Sequence, residues 1–340
     1  MQLSRRHRAI VISILLWIVA LGLLIWAFRS VSIDDLLHIL SGLGVIPLAI
    51  LVSVNALIAY SFGLRWWLIL RTQGFRIGYL FLASYRLVAY SISYFTPGPH
   101  LGGEPLQAFL VARRHNVPVS AAIASVTIDK LLEILVNFGF LFFGALVAVY
   151  TQFVPAFPTP LVIGTGLILL SLPVMIIIMM SRGIKPVSAL LDRLLAIDWR
   201  AKSRTYALVT TSENDAVVIF QKSPWVLFNA FLISVCVWIA LLGEYWLVLH
   251  FLGIDLTLVE LAVAVTAARL AILLPFPGGL GTLEASQVFV MNLLGFDPAL
   301  GLSASLLIHA RDILFALLGV LWGNIAVGGW HTLWSNQTNS

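Results

Sequence analysis

The chain has 340 residues, 60% of them hydrophobic and only 10% charged, with a mean hydropathy of +1.01. Soluble domains average about 25% charged residues, so a soluble globular fold is excluded and the chain reads as integral to a membrane. The net charge of +5 does not point to nucleic acid, because the basic residues stand between apolar stretches, where they set membrane orientation. A transmembrane β-barrel is disfavoured, since its strands would be short and alternating rather than continuously apolar.

The chain begins Ser4-Arg5-Arg6-His7-Arg8 and runs apolar to about Phe28. A signal peptide has a similar basic start but a shorter apolar core and a small-residue cleavage site, so residues 9–28 read as a retained first span. Further spans are expected near 44–70, 121–149, 161–181, 225–251 and 299–327, each long enough to cross a bilayer as a helix. Arg5, Arg6 and Arg8 place the N-terminus in the cytoplasm. Arg71 and Arg76, and then Arg113 and Arg114, fall on the same side, so residues 78–113 enter and leave by one face. The loop 151–160 has no charge and three prolines, which suits the outer side.

Residues 182–223 carry Arg182, Lys185, Arg193, Arg200, Lys202, Arg204 and Lys222. They form the cytoplasmic connecting segment, with a surface helix expected near 203–221. Residues 257–294 then make a second hairpin from the outside, and both termini are cytoplasmic. Trp26, Trp225 and Trp330 fall near span ends, as interfacial belt residues do. The lone Cys236 lies in an apolar run, excludes an internal disulfide, and reads as a packed, inert thiol.

The expected fold is all-α: a polytopic membrane helix bundle of about six spanning helices plus two re-entrant hairpins, one integral domain over residues 1–340 in the cell membrane. The hairpin tips are Pro97-Gly98-Pro99-His100-Leu101-Gly102-Gly103-Glu104 and Pro275-Phe276-Pro277-Gly278-Gly279-Leu280-Gly281-Thr282-Leu283-Glu284. Irregular backbone at membrane depth persists only when buried in protein or lining a polar cavity, and paired breaks in two halves point to a transport site. Residues 44–149 form a first unit and 225–327 a second, inverted one. Charge spacing supports the pairing: Lys130 follows Glu104 by 26 residues, and Arg311 follows Glu284 by 27. The arginines before the tips match less closely, Arg86 lying 11 residues before Pro97 and Arg269 only 6 before Pro275.

Ionisable groups inside spans cost at least about 2.5 kcal/mol each on insertion scales, so they face a shared interior. They are Arg86, Glu104, Asp129, Lys130, Glu133, Glu244, Arg269, Glu284, Arg311 and Asp312. The candidate substrate-binding set is Arg86, Glu104, Lys130, Arg269, Gly278, Gly279, Gly281, Glu284 and Arg311. Guanidinium binds phosphate in a planar, bidentate way and stays charged when buried. The plain alternative is that these arginines and Lys130 pair with neighbouring carboxylates and only fix helix packing. Gly278, Gly279 and Gly281 permit a tight turn and close ligand approach, and the helix after them offers an N-terminal anion site. His100 reads as a hydrogen-bonded structural histidine. Asp34-Asp35 reads as solvated, and no Ser-His-Asp order, HExxH or phosphate-binding P-loop is present, so no metal, cofactor or catalytic set is expected.

The stretch Leu274 to Ala285 resembles the signature of the lysylphosphatidylglycerol synthase/flippase transmembrane-domain family, roughly Pro-x-Pro-Gly-Gly-x-Gly-x-x-Glu-Ala. Pro97 through Gly103-Glu104 to Leu110 resembles the family's other glycine-rich loop, with Gln107 near where an arginine is expected. Asp129-Lys130-Leu131-Leu132 resembles its Asp-Arg-Leu-Leu pattern, with lysine for arginine. The resemblance covers about residues 10–327 and implies a polytopic domain that moves lipids between leaflets. Full-length relatives carry a soluble aminoacyl-transferase domain after the membrane part. This chain ends at Ser340, ten residues past Trp330, so aminoacylation is not expected of it.

Three functions remain in play. The first is a flippase or transporter for an anionic phospholipid or lipid-linked phosphate, with no nucleic-acid partner. The second is a membrane enzyme on a phospholipid or polyprenyl-phosphate, with Glu104 or Glu284 as general base. The third is a non-transporting assembly partner of an envelope enzyme docking through 182–223. A homo-oligomer is compatible with each.

Overall fold

The computed structural model describes residues 41–96, 102–151, 158–194 and 203–326. The expected first span at 9–28, the tip residues Pro97 to Leu101 with His100, Trp26, Trp330 and both termini lie outside the described residues. Eleven helices are described, in the order α1 (Val45–Thr72), α2 (Tyr79–Phe95), α3 (Glu104–His115), α4 (Val119–Tyr150), α5 (Thr159–Ser181), α6 (Pro186–Leu194), α7 (Arg204–Lys222), α8 (Pro224–Phe251), α9 (Leu258–Leu273), α10 (Thr282–Leu293) and α11 (Pro298–Ala326). A short 3₁₀ turn, Pro277–Gly279, separates α9 from α10. The described residues contain no strand.

Length sorts these helices into two kinds. Five are long and apolar enough to cross a membrane: α1, α4, α5, α8 and α11. At 1.5 Å per residue the 28 residues of α1 and 32 of α4 reach about 42 and 48 Å, beyond a hydrocarbon core of about 30 Å. The 17 residues of α2 and 12 of α3 reach only about 25 and 18 Å, and neither crosses such a core alone. The series long–short–short–long recurs as α8 with 28 residues, α9 with 16, α10 with 12 and α11 with 29. The span expectations for 44–70, 121–149, 161–181, 225–251 and 299–327 agree with the long helices to within a few residues.

Each set of four has its own apolar core. Trp66, Leu82, Val111 and Ala122 join α1 to α4 in one cluster. Leu249, Ala264, Met291 and Ala304 join α8 to α11 in another. A third unites α4, α5, α7 and α8 through Ile128, Met180, Phe220 and Ala230. Helix α7 thus packs an apolar side against α4 and α5, which a purely surface helix would not do. Its Glu213 accepts the Val187 and Ser188 amides at 2.7 Å each, meeting the unpaired N–H groups at the start of α6. Outward, the long helices carry exposed leucine, isoleucine, phenylalanine and valine side chains, an apolar surface suited to lipid. Cys236 lies on that outer surface rather than packed, because a lipid-facing helix does not need its small side chains turned inward. Trp225 is exposed at the second residue of α8.

The two sets interlock by antiparallel contacts. Arg65 on α1 bonds Ser234 on α8, and ten residues earlier on α1 Asn55 bonds Glu244, ten residues later on α8. Helix α2 packs on α11 and α9 on α4. Both approaches are close because a glycine stands at the crossing. A Cβ on Gly319 would run into the Leu87 carbonyl and Ser91, and one on Gly144 into Thr266. Small residues admit this approach in membrane helices generally. Ser91 Oγ donates to the Ala316 carbonyl at 2.7 Å across the α2–α11 contact.

Gly319→Ala is expected to lower the thermal unfolding temperature in detergent, although alanine is the better helix former by about 0.8–1 kcal/mol, since the new methyl meets backbone. Gly243→Ala, with open space around it, is expected to keep or raise that temperature. Equal shifts for both variants would remove the close-approach argument.

Candidate functional site

Charges that cannot be solvated by lipid are gathered at the meeting of the two helix sets. The first cluster is built on α4, where Asp129 and Glu133 sit one turn apart on a common face. Arg65 reaches Asp129 through Nε at 2.5 Å and Nη2 at 3.0 Å, and Glu133 at 2.9 Å. Arg86 from α2 bridges the same two carboxylates at 2.6 and 3.0 Å. Lys130 holds Glu133 at 2.9 Å and Glu104, at the start of α3, at 3.1 Å. Three cations face three carboxylates, and Phe62 lies under both guanidinium groups, 5.1 Å from Arg86 and 6.0 Å from Arg65. The cluster is closed: each cation that sequence reading assigned to substrate here already has two carboxylate partners.

Arg65, only 2% exposed, was missed by sequence reading. Its signal was present: a single arginine six residues short of Arg71, inside the apolar run rather than at its end. Asn55 and Ser234 were missed too, because single small polar groups in apolar helices carry no pattern of their own.

The second cluster lies on α8, α9, α10 and α11. Arg311 pairs with Glu244 on α8 and, at 2.9 Å, with Asp312 beside it. Asn55 donates to Glu244 at 2.9 Å, so α1 joins this cluster as α8 joins the first. Glu284 is 1% exposed and accepts the Gly281 amide at 2.8 Å. Glu104 accepts the Gly102 amide at 2.8 Å in the same fashion. The partner facing Glu284 is His309, with Oε1 and Nε2 3.1 Å apart, whereas the spacing argument had paired it with Arg311. Gly278, Gly279 and Gly281 all have positive φ, 59°, 71° and 77°, as the tight turn requires. The loop amides are engaged internally: Gly279 N–H bonds Phe276 O and Leu280 N–H bonds Pro277 O, both at 3.1 Å. Tyr94, at the end of α2, seats its ring against Gly278, where a Cβ would come to 2.9 Å of it. The second loop therefore meets the end of α2.

Arg269 differs from the other buried cations. It has no ion-pair carboxylate among the described residues. Its guanidinium lies over the Trp238 ring at 4.8 Å, and Trp238 stacks on Phe140 with centroids 5.0 Å apart. It stands on the wall of an apolar groove of about 350 Å³ between α4, α8 and α9, lined by Phe140, Phe143, Leu242 and Leu258 among others. A second apolar groove of about 370 Å³ shares Phe140 and Phe143 with it. A charged group over an apolar trough is the form of site that takes an amphiphile. Gln107 is buried with its Nε2 unpartnered among the described residues. Among those residues, no set of three or more His, Cys, Asp and Glu is arranged to hold a metal ion.

Removing Arg65 alone leaves the buried Asp129 and the part-buried Glu133 each short of a partner, a change that costs about 3–5 kcal/mol. Arg65→Leu is expected to be among the most destabilising single substitutions, and Arg65→Leu with Asp129→Leu to recover part of the loss, because charge then balances again. A double-mutant cycle on thermal stability checks this, and additive losses would contradict it.

The lysylphosphatidylglycerol synthase TM region family matches residues 9–319. A UPF0104 membrane protein of Methanothermobacter thermautotrophicus is 23% identical over 314 residues, covering 88% of this chain and 90% of that protein. No solved structure matches the chain. The apolar long helices, the Pro-Gly loop at 275–284 and the match across most of the length make this chain an integral membrane protein of the lysylphosphatidylglycerol synthase TM region family.

Proposed function

We propose that this protein moves an anionic phospholipid or lipid-linked phosphate between the leaflets of the cell membrane, without catalysing a covalent reaction. The observation that carries this reading is Arg269, a cation with no carboxylate partner among the described residues, set on the wall of an apolar groove. A phosphate accepts the guanidinium's paired donors. Acyl or prenyl chains occupy the two grooves that meet at Phe140 and Phe143. Trp238 holds the guanidinium in place while no headgroup is bound.

The path for the headgroup lies between two re-entrant hairpins, α2–α3 and α9–α10, in units inverted relative to each other with both termini cytoplasmic. Three features support the inversion. The helix lengths recur in order. The Arg65–Ser234 and Asn55–Glu244 contacts join equal positions of α1 and α8 in exchanged roles, Arg65 and Glu244 each 20 residues past the helix start, Asn55 and Ser234 each 10 past it. A glutamate in the first turn of α3 and one in the first turn of α10 each reach back to a glycine amide at 2.8 Å. Rocking of such units exposes a shared site to either side in turn. Arg86, Lys130 and Arg311 line the route, and each exchanges a carboxylate for the passing phosphate rather than waiting empty.

In phosphatidylcholine vesicles carrying fluorescent phosphatidylglycerol, Arg269→Gln is expected to slow lipid movement at least about 10-fold, since charge-assisted hydrogen bonds contribute about 1.5–3 kcal/mol. Arg269→Lys is expected to retain part of the rate. Wild-type rates in a folded Arg269→Gln protein would refute this assignment of the headgroup site.

A further inference from the structure

The glutamates at the two hairpin ends are held alike but answered differently. Lys130 stands eleven residues past the start of α4, and His309 eleven past the start of α11. Lys130 Nζ lies 3.1 Å from Glu104, and His309 Nε2 lies 3.1 Å from Glu284. The same contact thus occurs once with a fixed cation and once with imidazole, the side chain that takes up and releases a proton near neutral pH.

Burial makes the difference matter. Lys130 and Glu104 are about a quarter exposed, whereas the side chains of His309 and Glu284 are 4% and 1% exposed. Counting carboxylates as ionised, the first cluster balances three cations against three anions. In the second, Arg269 and Arg311 balance Glu244 and Asp312, and Glu284 is left over unless a proton joins the Glu284–His309 pair. Glu284 Oε1 and His309 Nε2 stand 3.1 Å apart with no hydrogen bond between them, and neither has another partner among the described residues. The other ring nitrogen, Nδ1, is 3.4 Å from the Tyr94 hydroxyl on α2. The helices packed on α10 and α11 bring Tyr94 and Tyr90 on α2, Glu244 on α8 and Arg269 on α9, beside Arg311 and Asp312 on α11 itself.

We propose that Glu284 and His309 form a proton-binding site and that lipid movement by this protein is coupled to a proton. A proton from water enters the pair, so that Nε2–H donates to the Glu284 carboxylate and Nδ1–H to Tyr94. It leaves to water when the units rock. The bound proton neutralises the cluster and favours an anionic headgroup on Arg269, and the headgroup favours the proton in return. The site straddles both helix sets, because Tyr94 touches both His309 and the Gly278 turn, so its charge bears on how the sets meet.

This inference rests on the lipid-transport reading, and the test separates the two. Full-length protein is reconstituted in phosphatidylcholine vesicles with fluorescent phosphatidylglycerol and an internal pH dye, under imposed pH gradients of either sign. Lipid movement is expected to change at least about 10-fold with the sign of the gradient and to carry protons. Glu284→Gln and His309→Gln are expected to lose both dependences; glutamine still accepts the Gly281 amide, which protects the α10 cap. Lipid movement indifferent to the gradient, with no internal pH change, overturns the coupling and leaves the lipid-transport reading standing. No movement of any labelled lipid overturns both. Infrared difference spectra between about pH 5 and pH 9 read the site without transport: a carboxyl or imidazole change lost in Glu284→Gln is expected, and its absence from wild type overturns the proton site.

Discussion

The constraint on which this structure depends is that a charge inside lipid has to be answered by another charge inside the protein. Burying an unmatched ion costs several kcal/mol even after relaxation, so the position of Asp129 on α4 requires that Arg65 and Arg86 arrive from two other helices. That single demand fixes α1, α2 and α4 relative to one another, and Lys130 extends it to the start of α3 through Glu104. Apolar side chains alone do not supply such specificity, since lipid tails are as apolar as leucine. The crossing glycines then set how near the backbones come, and the charges set which faces meet.

Much of this order is legible in the sequence. Runs of twenty apolar residues leave little choice but a spanning helix, and the Pro-Gly loop at 275–281 marks where α9 gives way to α10, because glycine at positive φ and proline without an amide cannot continue a helix. The carboxylates and cations of α4 are visible as a one-turn cluster. Partnership across helices is less visible. Arg65 is a lone cation inside an apolar run with no visible partner until α4 is placed beside it, and Glu284 appears matched to Arg311 by spacing alone, although His309, two residues earlier on α11, is the one that faces it. A difference of two positions moves a side chain by more than half a turn around a helix, so spacing along the chain names the right helix and the wrong face. Asn55 and Ser234 illustrate the opposite failure: each is a modest polar residue whose meaning appears only when the other helix set approaches.

The two helix sets have the same plan but different chemistry. Twenty residues past the start of the leading long helix stands an arginine in one and a glutamate in the other, and the residue facing the cap glutamate is lysine in one and histidine in the other. In the first set the buried cluster is closed, with Arg65, Arg86 and Lys130 each on carboxylates, which suits a support that holds its shape. In the second, one arginine stacks on tryptophan without a carboxylate among the described residues, and one glutamate faces a titratable ring. Both unmatched groups belong to the set containing the Pro-Gly turn against which Tyr94 rests.

In the proposed lipid transport the two helix sets divide the labour. A binding site needs a charge whose partner is the ligand, and such a charge is tolerable at depth only if something else stabilises it in the meantime. For Arg269 that is the Trp238 face, an interaction of about 0.5–2 kcal/mol, strong enough to orient the guanidinium and weaker than a bidentate phosphate contact. A full salt bridge in its place would compete with the headgroup. A bare apolar wall would leave the charge without compensation. The aromatic face lies between these limits, which is why the cation beside the groove, rather than those in the closed network, is the residue on which the proposed headgroup binding turns.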